Sequence, residues 1–163
     1  MNAADAHPEV SGLHWTVQVM GILMVASVDE INALGSQGYN ALHFAAKQGH
    51  EKIIRLIVSA KTDVEAQSGD GQRPLSIAAH FGQLEAVRVL VELGADVEVG
   101  QAGKLALRPL HEAAKRGHLE VVKALVEFGA DLTATSCHGA TALHAAVQEG
   151  CTEVVKALVA AGG

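Results

Sequence analysis

Aromatic residues are scarce in this 163-residue chain, at 3% of the sequence, and cysteine occurs only twice. A core without aromatic rings must be built from small aliphatic side chains. The 49% of hydrophobic residues and the 17 glycines fit closely packed helices in a regular, repetitive fold. Two cysteines cannot form a disulfide framework, which indicates a reducing compartment. We therefore expect a single domain that resides in the cytoplasm.

Basic residues are outnumbered, with 12 against 18 acidic residues, and the formal net charge is -6 with the histidines neutral. The field of such a molecule repels polyanions, so nucleic acid is not an expected partner. The first lysine or arginine is Lys47, so the chain lacks the positive segment of a secretory signal and the arginines of a transit peptide. No targeting signal is predicted.

One stretch, residues 10–28, carries no formal charge and is rich in Val, Met, Ile and Leu. A membrane span has to be weighed there. Polar side chains interrupt the stretch at Ser11, His14, Thr16 and Gln18, and no basic flank orients it. We interpret it as part of a helical unit and expect no membrane partner.

A pattern recurs four times, as NALHFAAKQGH, RPLSIAAHFGQ, RPLHEAAKRGH and TALHAAVQEGC. The shared leucines at positions 42, 75, 110 and 143 lie 33, 35 and 33 residues apart, and the glycines at 49, 82, 117 and 150 keep the same spacing. A second apolar run follows each glycine, which predicts two short helices per period. The first helix is expected to end at the glycine, since glycine adopts the left-handed cap conformation at little cost. A second stop follows at positions 94, 129 and 162, with Lys61 in the equivalent place.

These residues resemble the ankyrin repeat family, whose signature is T-P-L-H-x-A at this period. Residues 109–131 are nearly the family consensus. The resemblance implies an all-α repeat solenoid of ankyrin-type helix-turn-helix units joined by β-turn loops. Repeats are expected at about 38–66, 71–99, 106–134 and 139–163, within a repeat domain of residues 31–163. Residues 1–30 are similar to a degenerate N-terminal capping repeat, because Glu30, Ile31 and Asn32 fall where the family has Asp-Val-Asn.

Individual units depart from the family pattern. The threonine that caps the first helix is replaced by Asn40, Arg73 and Arg108 in three units, so only the first and last units retain a capping oxygen. The step from Leu75 to Leu110 has two extra residues, which predicts a protruding loop at about residues 99–107 between the second and third repeats.

Several clusters suggest chemistry and are better explained by the repeat. His43, His111 and His144 occupy one repeated position, which favours bonds to a neighbouring turn over metal binding or acid–base catalysis. His50 and His118 are interpreted in the same way. The last repeat holds Cys137, His138, His144 and Cys151, without the paired spacing of structural zinc ligands. The glycines near residues 69–71 and 100–103 lack the context of a nucleotide-binding loop. We expect no enzyme activity, metal or cofactor.

The resemblance implies a partner-binding face at the ends of the first helices and at the turn tips. Its expected members are Tyr39, Lys47, Gln48, Gln72, His80, Phe81, Leu107, Lys115, Arg116, Ala140, Gln148 and Glu149. A large ring such as Phe81 suits a contact anchor. Four basic residues, Lys104, Arg108, Lys115 and Arg116, predict an acidic or phosphorylated partner segment. The alternative is that Phe81 tucks under the neighbouring turn and that the basic residues only solvate the surface.

Three functions remain open at this point. The leading one is a protein–protein interaction module or scaffold. The others are a regulatory or targeting repeat segment of a larger enzyme or channel, and a purely structural spacer. The last unit carries no polar terminal helix to cover the stack, so we expect a fragment of a longer protein or a covered end face. We expect a monomer unless that end pairs.

Overall fold

The computed structural model describes residues 38–100 and 106–162, within which the chain forms eight α-helices in four helix–turn–helix pairs. The first helices of the pairs are α1 (Ala41–Gln48), α3 (Pro74–His80), α5 (Pro109–Arg116) and α7 (Ala142–Gln148). The second helices are α2 (Glu51–Ser59), α4 (Leu84–Glu92), α6 (Leu119–Glu127) and α8 (Thr152–Ala160). Neither described range contains a strand, and the predicted all-α repeat solenoid is confirmed.

Two predictions concern residues outside the described ranges. The degenerate unit at residues 1–30 lies wholly outside them, and so do residues 101–105 of the predicted protruding loop, including Lys104. The two extra residues of that step lie in the connection between Glu92, where α4 ends, and Pro109, where α5 begins. Since α4 is as long as α2, α6 and α8, the insertion does not lengthen a helix.

The helices form two layers. Each first helix packs on the first helix of the next pair, and the second helices pack on one another in the same order. Apolar residues three or four positions apart supply the contact face of each helix, as with Val121, Val122 and Leu125 of α6, all fully buried. The buried alanines at the repeated positions 46, 79 and 114 let the first helices approach closely.

The ends of the first helices follow the sequence closely. Asn40 caps α1 by accepting from the backbone N–H groups of Leu42 and His43 at 3.0 and 3.2 Å, and Thr141 caps α7. Arg73 and Arg108 provide no capping oxygen, and a proline follows each of them at the first helical position. The expectation that only the outer two units keep a side-chain cap is confirmed.

Arg73 and Arg108 act between repeats. Glu65 accepts from the backbone N–H of Asp96 in the next repeat at 2.7 Å and pairs with Arg73 at 3.0 Å. Glu98 reaches the following repeat in the same way and pairs with Arg108. Each arginine therefore positions a glutamate that links two successive repeats. These two helices lack a side-chain cap and have an inter-repeat contact instead.

Gly82 ends the α3 turn with a φ of 70°, and a Cβ atom there would lie 2.6 Å from His118 Nδ1. Gly82→Ala is expected to lose about 1–2 kcal/mol of unfolding free energy from the left-handed conformation. It should lose about 1 kcal/mol more because the ring of His118 must leave the carbonyl of His80, which its Nε2–H reaches at 2.9 Å. Urea denaturation measures both losses.

Gly150→Ala is the matched control for this prediction. Gly150 has a φ of 72°, and no described atom lies within 4 Å of the added Cβ position. The Gly150 variant should show only the conformational loss. Equal losses in the two variants would mean that the contact of Gly82 with His118 contributes nothing.

Candidate functional site

The predicted partner-binding residues lie at the C-terminal ends of the first helices and in the turns that precede these helices, a surface we call the first-helix face. Gln48, Phe81, Lys115, Arg116, Gln148 and Glu149 are exposed on it. Tyr39, Lys47, Gln72, His80, Leu107, Arg108 and Ala140 are partly buried. Lys104 is outside the described residues. The first-helix face is therefore accessible over all four described repeats.

Phe81 lies at the end of α3 with 44% of its surface exposed. The Nζ of Lys47 in the preceding repeat is 5.0 Å from the centre of its ring, within the range of a cation–π contact. The ring of His80 lies beside it, with the two centroids 4.9 Å apart. Phe81 is exposed and does not tuck under the neighbouring turn, so that part of the alternative is wrong.

His80 is held between two repeats. Its Nδ1 lies 2.8 Å from Glu112 Oε2 on α5, and its backbone carbonyl accepts from His118 Nε2 at 2.9 Å. Glu112 is only 8% exposed. A carboxylate so deeply placed requires a close partner, and His80 supplies it.

Glu112 was not predicted from the sequence as a member of the site. The repeated position after the signature histidine or serine holds Phe44, Ile77 and Ala145 in the other units, so a lone carboxylate there was the available signal. Its partner could not be found from the same pattern, because His80 lies one repeat earlier and belongs to a different repeated position.

Tyr39 and Gln72 connect two successive turns at the rim of the first-helix face. The hydroxyl of Tyr39 donates to Gln72 Oε1 at 3.2 Å, and the Tyr39 ring stacks on His43 with centroids 5.5 Å apart. Burial, with a smaller effect of the negative charge on Asp70, raises the pKa of Tyr39, so the hydroxyl keeps its proton.

The predicted basic cluster is divided by the fold. Arg108 pairs with Glu98 and belongs to the inter-repeat contact described above. Lys115 and Arg116, at the end of α5, are exposed, and neither forms an ion pair with another described residue. Within the described part of the predicted basic cluster, the unpaired positive charge therefore comes from these two residues.

The repeated histidines bind turns, as the repeat predicted. The Nδ1 of His43 accepts from the backbone N–H of Asn40 at 3.2 Å, and its Nε2–H lies 3.1 Å from the carbonyl of Ala66. His111 uses Nδ1 in the same way and reaches the carbonyl of Ala140 at 3.1 Å. Burial lowers the pKa of both histidines.

In the last repeat the signature histidine is exposed, and a cysteine occupies the position that holds His118 in the preceding repeat. His144 makes the same contact to the N-cap, Thr141, and is exposed. Cys151 lies against Gly117, in the place where His118 lies against Gly82. In the part of the chain that the structure describes, no three His, Cys, Asp or Glu side chains are grouped so that they could hold a metal ion.

The stacked helix pairs, the left-handed glycines and the turn-bound histidines define a helical-repeat solenoid. A family model of ankyrin repeats in three copies matches residues 13–101 and 98–163, and the chain belongs to the ankyrin repeat family. A comparison with curated proteins finds no match. Ankyrin repeats are in general protein–protein interaction modules and typically have no catalytic centre. No helix in residues 38–100 or 106–162 is long and apolar enough to cross a membrane.

Proposed function

We propose that the first-helix face binds an acidic segment of a partner protein, with Phe81 as its apolar anchor. The observation that carries the proposal is the exposure of Phe81, because a large ring left open beside polar neighbours is typical of a contact surface. Lys47 lies across part of the ring and His80 beside it, so the ring is held in one place before a partner arrives.

Lys115 and Arg116 give the first-helix face its charge preference. They lie one repeat beyond Phe81 on a protein whose formal net charge is -6. An approaching carboxylate or phosphate is attracted to this pair, and the guanidinium of Arg116 can bind it through two parallel hydrogen bonds. The nearby Glu112 is buried and paired with His80, so it offers little repulsion to such a segment.

The anchor is tested by Phe81→Ala on a partner isolated from cytosol, the compartment in which we propose that the module works. Loss of an anchor ring at an interface costs about 2 kcal/mol, so the dissociation constant should rise roughly 30-fold. The melting temperature should not change, because Phe81 is exposed and is not part of the core. Titration calorimetry and thermal denaturation measure the two quantities.

The charge preference is tested by the double change Lys115→Glu and Arg116→Glu, which should slow association about tenfold at low salt and weaken its salt dependence. The matched control is Lys52→Glu with Lys156→Glu, the same change of charge at exposed sites on the second helices. Equal slowing in both variants would indicate a general effect of net charge. If the Phe81 variant and the Lys115/Arg116 variant both bind as the parent does, the partner uses another face.

A further inference from the structure

The four described second helices pack side by side, and we call the three contacts between neighbours seams. The third seam, between α6 and α8, differs from the other two. Arg55 Nη2 on α2 lies 2.7 Å from Glu92 Oε2 on α4, and Arg88 Nη2 on α4 lies 4.0 Å from Glu127 Oε2 on α6. In the seam between α6 and α8, the equivalent basic residue is Lys123, and the position of the acid is taken by an alanine. The ion pair that crosses the first two seams therefore cannot form in the third.

That alanine is Ala160. Lys123 instead forms an ion pair within its own helix. Its Nζ lies 2.9 Å from Glu120 Oε1, and both side chains are at least half exposed. Arg55 shows what a basic residue at this position can do, since it pairs with Glu51 in its own helix and with Glu92 across the seam at the same time. Lys123 has a partner within its own helix, whereas the partner across the seam is missing.

The α6–α8 seam also contains a cavity of about 230 Å³. It is lined by Val122, Lys123, Val126, Glu127, Ala157 and Ala161. The position of Ala161 is occupied by Leu93 and Phe128 in the two preceding repeats, where both side chains are partly buried. At this position the third seam has only the methyl group of Ala161, whereas the two preceding repeats carry an isobutyl or a benzyl group.

We propose that the α6–α8 seam docks a partner protein segment that inserts a leucine- or phenylalanine-sized side chain and places a carboxylate beside Lys123. Such a segment restores from outside the two groups that the preceding seams contain, the apolar side chain and the acid. The walls of Val122, Val126, Ala157 and Ala161 match the apolar part in size and polarity.

Two charged residues on the α6 side of the cavity orient the segment. Lys123 and Glu127, which has the distant Arg88 as its partner, lie there one helical turn apart. A carboxylate on the segment is attracted to the Lys123 side and repelled from the Glu127 side. The seam lies on the second helices, a different layer from the first-helix face, so this site does not depend on the function proposed above.

The test uses three capped peptides in one alanine–glutamine host. The first carries leucine with glutamate one helical turn before it, the second replaces the glutamate with lysine, and the third replaces the leucine with alanine. Methyl shifts of Val122 and Val126 in the whole chain follow each titration by NMR. We expect the glutamate peptide to bind about fivefold more tightly than the lysine peptide, and the alanine peptide to cause no saturable shift.

Two variants place the binding in the seam. Ala161→Leu fills the cavity with the side chain of the equivalent Leu93, which follows α4, and should abolish the shifts while keeping or raising the melting temperature. Lys123→Gln should keep the shifts and remove the preference for glutamate over lysine. Binding that survives Ala161→Leu would overturn the docking proposal, and equal binding of the two charged peptides to the parent chain would overturn its acidic part.

Phe81→Ala separates this proposal from the first-helix face. It leaves the α6–α8 seam intact, so the shifts of Val122 and Val126 should be unchanged. If the peptides lose affinity in the Phe81 variant and not in the Ala161 variant, they bind the first-helix face, and the seam is not the docking site.

Discussion

Leu125→Ala is expected to lower the free energy of unfolding by about 2–5 kcal/mol, the usual range for a fully buried leucine. Leu125 is 0% exposed on α6 and belongs to the core that runs through the stack between the two helix layers. The alanine variant leaves a cavity that rigid neighbouring helices cannot close, because α6 packs against both α4 and α8. Urea denaturation followed by circular dichroism measures the loss.

Leu56→Ala is the control for this experiment. Leu56 is also a leucine on a second helix, α2, and is 45% exposed. The same change of side chain should therefore cost well under 1 kcal/mol at this position. A stack of repeats can lose cooperativity when one unit is weakened, so the slope of the transition has to be compared as well as its midpoint. A small effect at Leu125 would mean that the helix face is wrongly assigned.

The helix pairs could be predicted because their signals are local and repeated. Leu42, Leu75 and Leu110 mark the buried face of α1, α3 and α5, and all three are buried. Lys61 was placed in the position of a terminal glycine from the spacing alone, and its φ of 64° is left-handed. A feature that recurs at a fixed period has one structural explanation in every unit, which reduces the chance of a wrong assignment.

Contacts that occur in a single unit could not be predicted in this way. Glu112 and His80 meet because neighbouring repeats stack with a particular offset, and neither residue matches its equivalents in other units. The cavity at Ala161 also depends on which side chains face each other across a seam, whereas an alanine at the end of a helix gives no local signal. Binding residues in a repeat protein are of this kind, because the positions that specify the stack are not free to vary.

The stability of the protein is expected to fall as the pH drops below about 6.5, because His43 and His111 are buried in the neutral form. Burial lowers the pKa of each below the 6.5 of an unconstrained histidine. The unfolded chain takes up protons as the pH falls through 6.5, whereas the folded chain resists until its lower pKa is reached. The stabilisation is complete above 6.5 and is lost below it, by up to about 1.4 kcal/mol per pH unit for each histidine.

Serine is the replacement used to test the histidines, because Ser76 occupies their position in the second repeat and is also buried. The double variant with His43→Ser and His111→Ser should be less stable at pH 7.5, because the bonds to Ala66 and Ala140 are lost. It should also lose stability less steeply between pH 7 and pH 5, since two groups that bind protons more readily in the unfolded chain are gone. His144→Ser makes the same change at an exposed histidine of the same repeated position and serves as the control. The measurement is the unfolding free energy in urea at half-unit steps of pH. A slope in the double variant equal to that of the parent would mean that other groups cause the acid sensitivity.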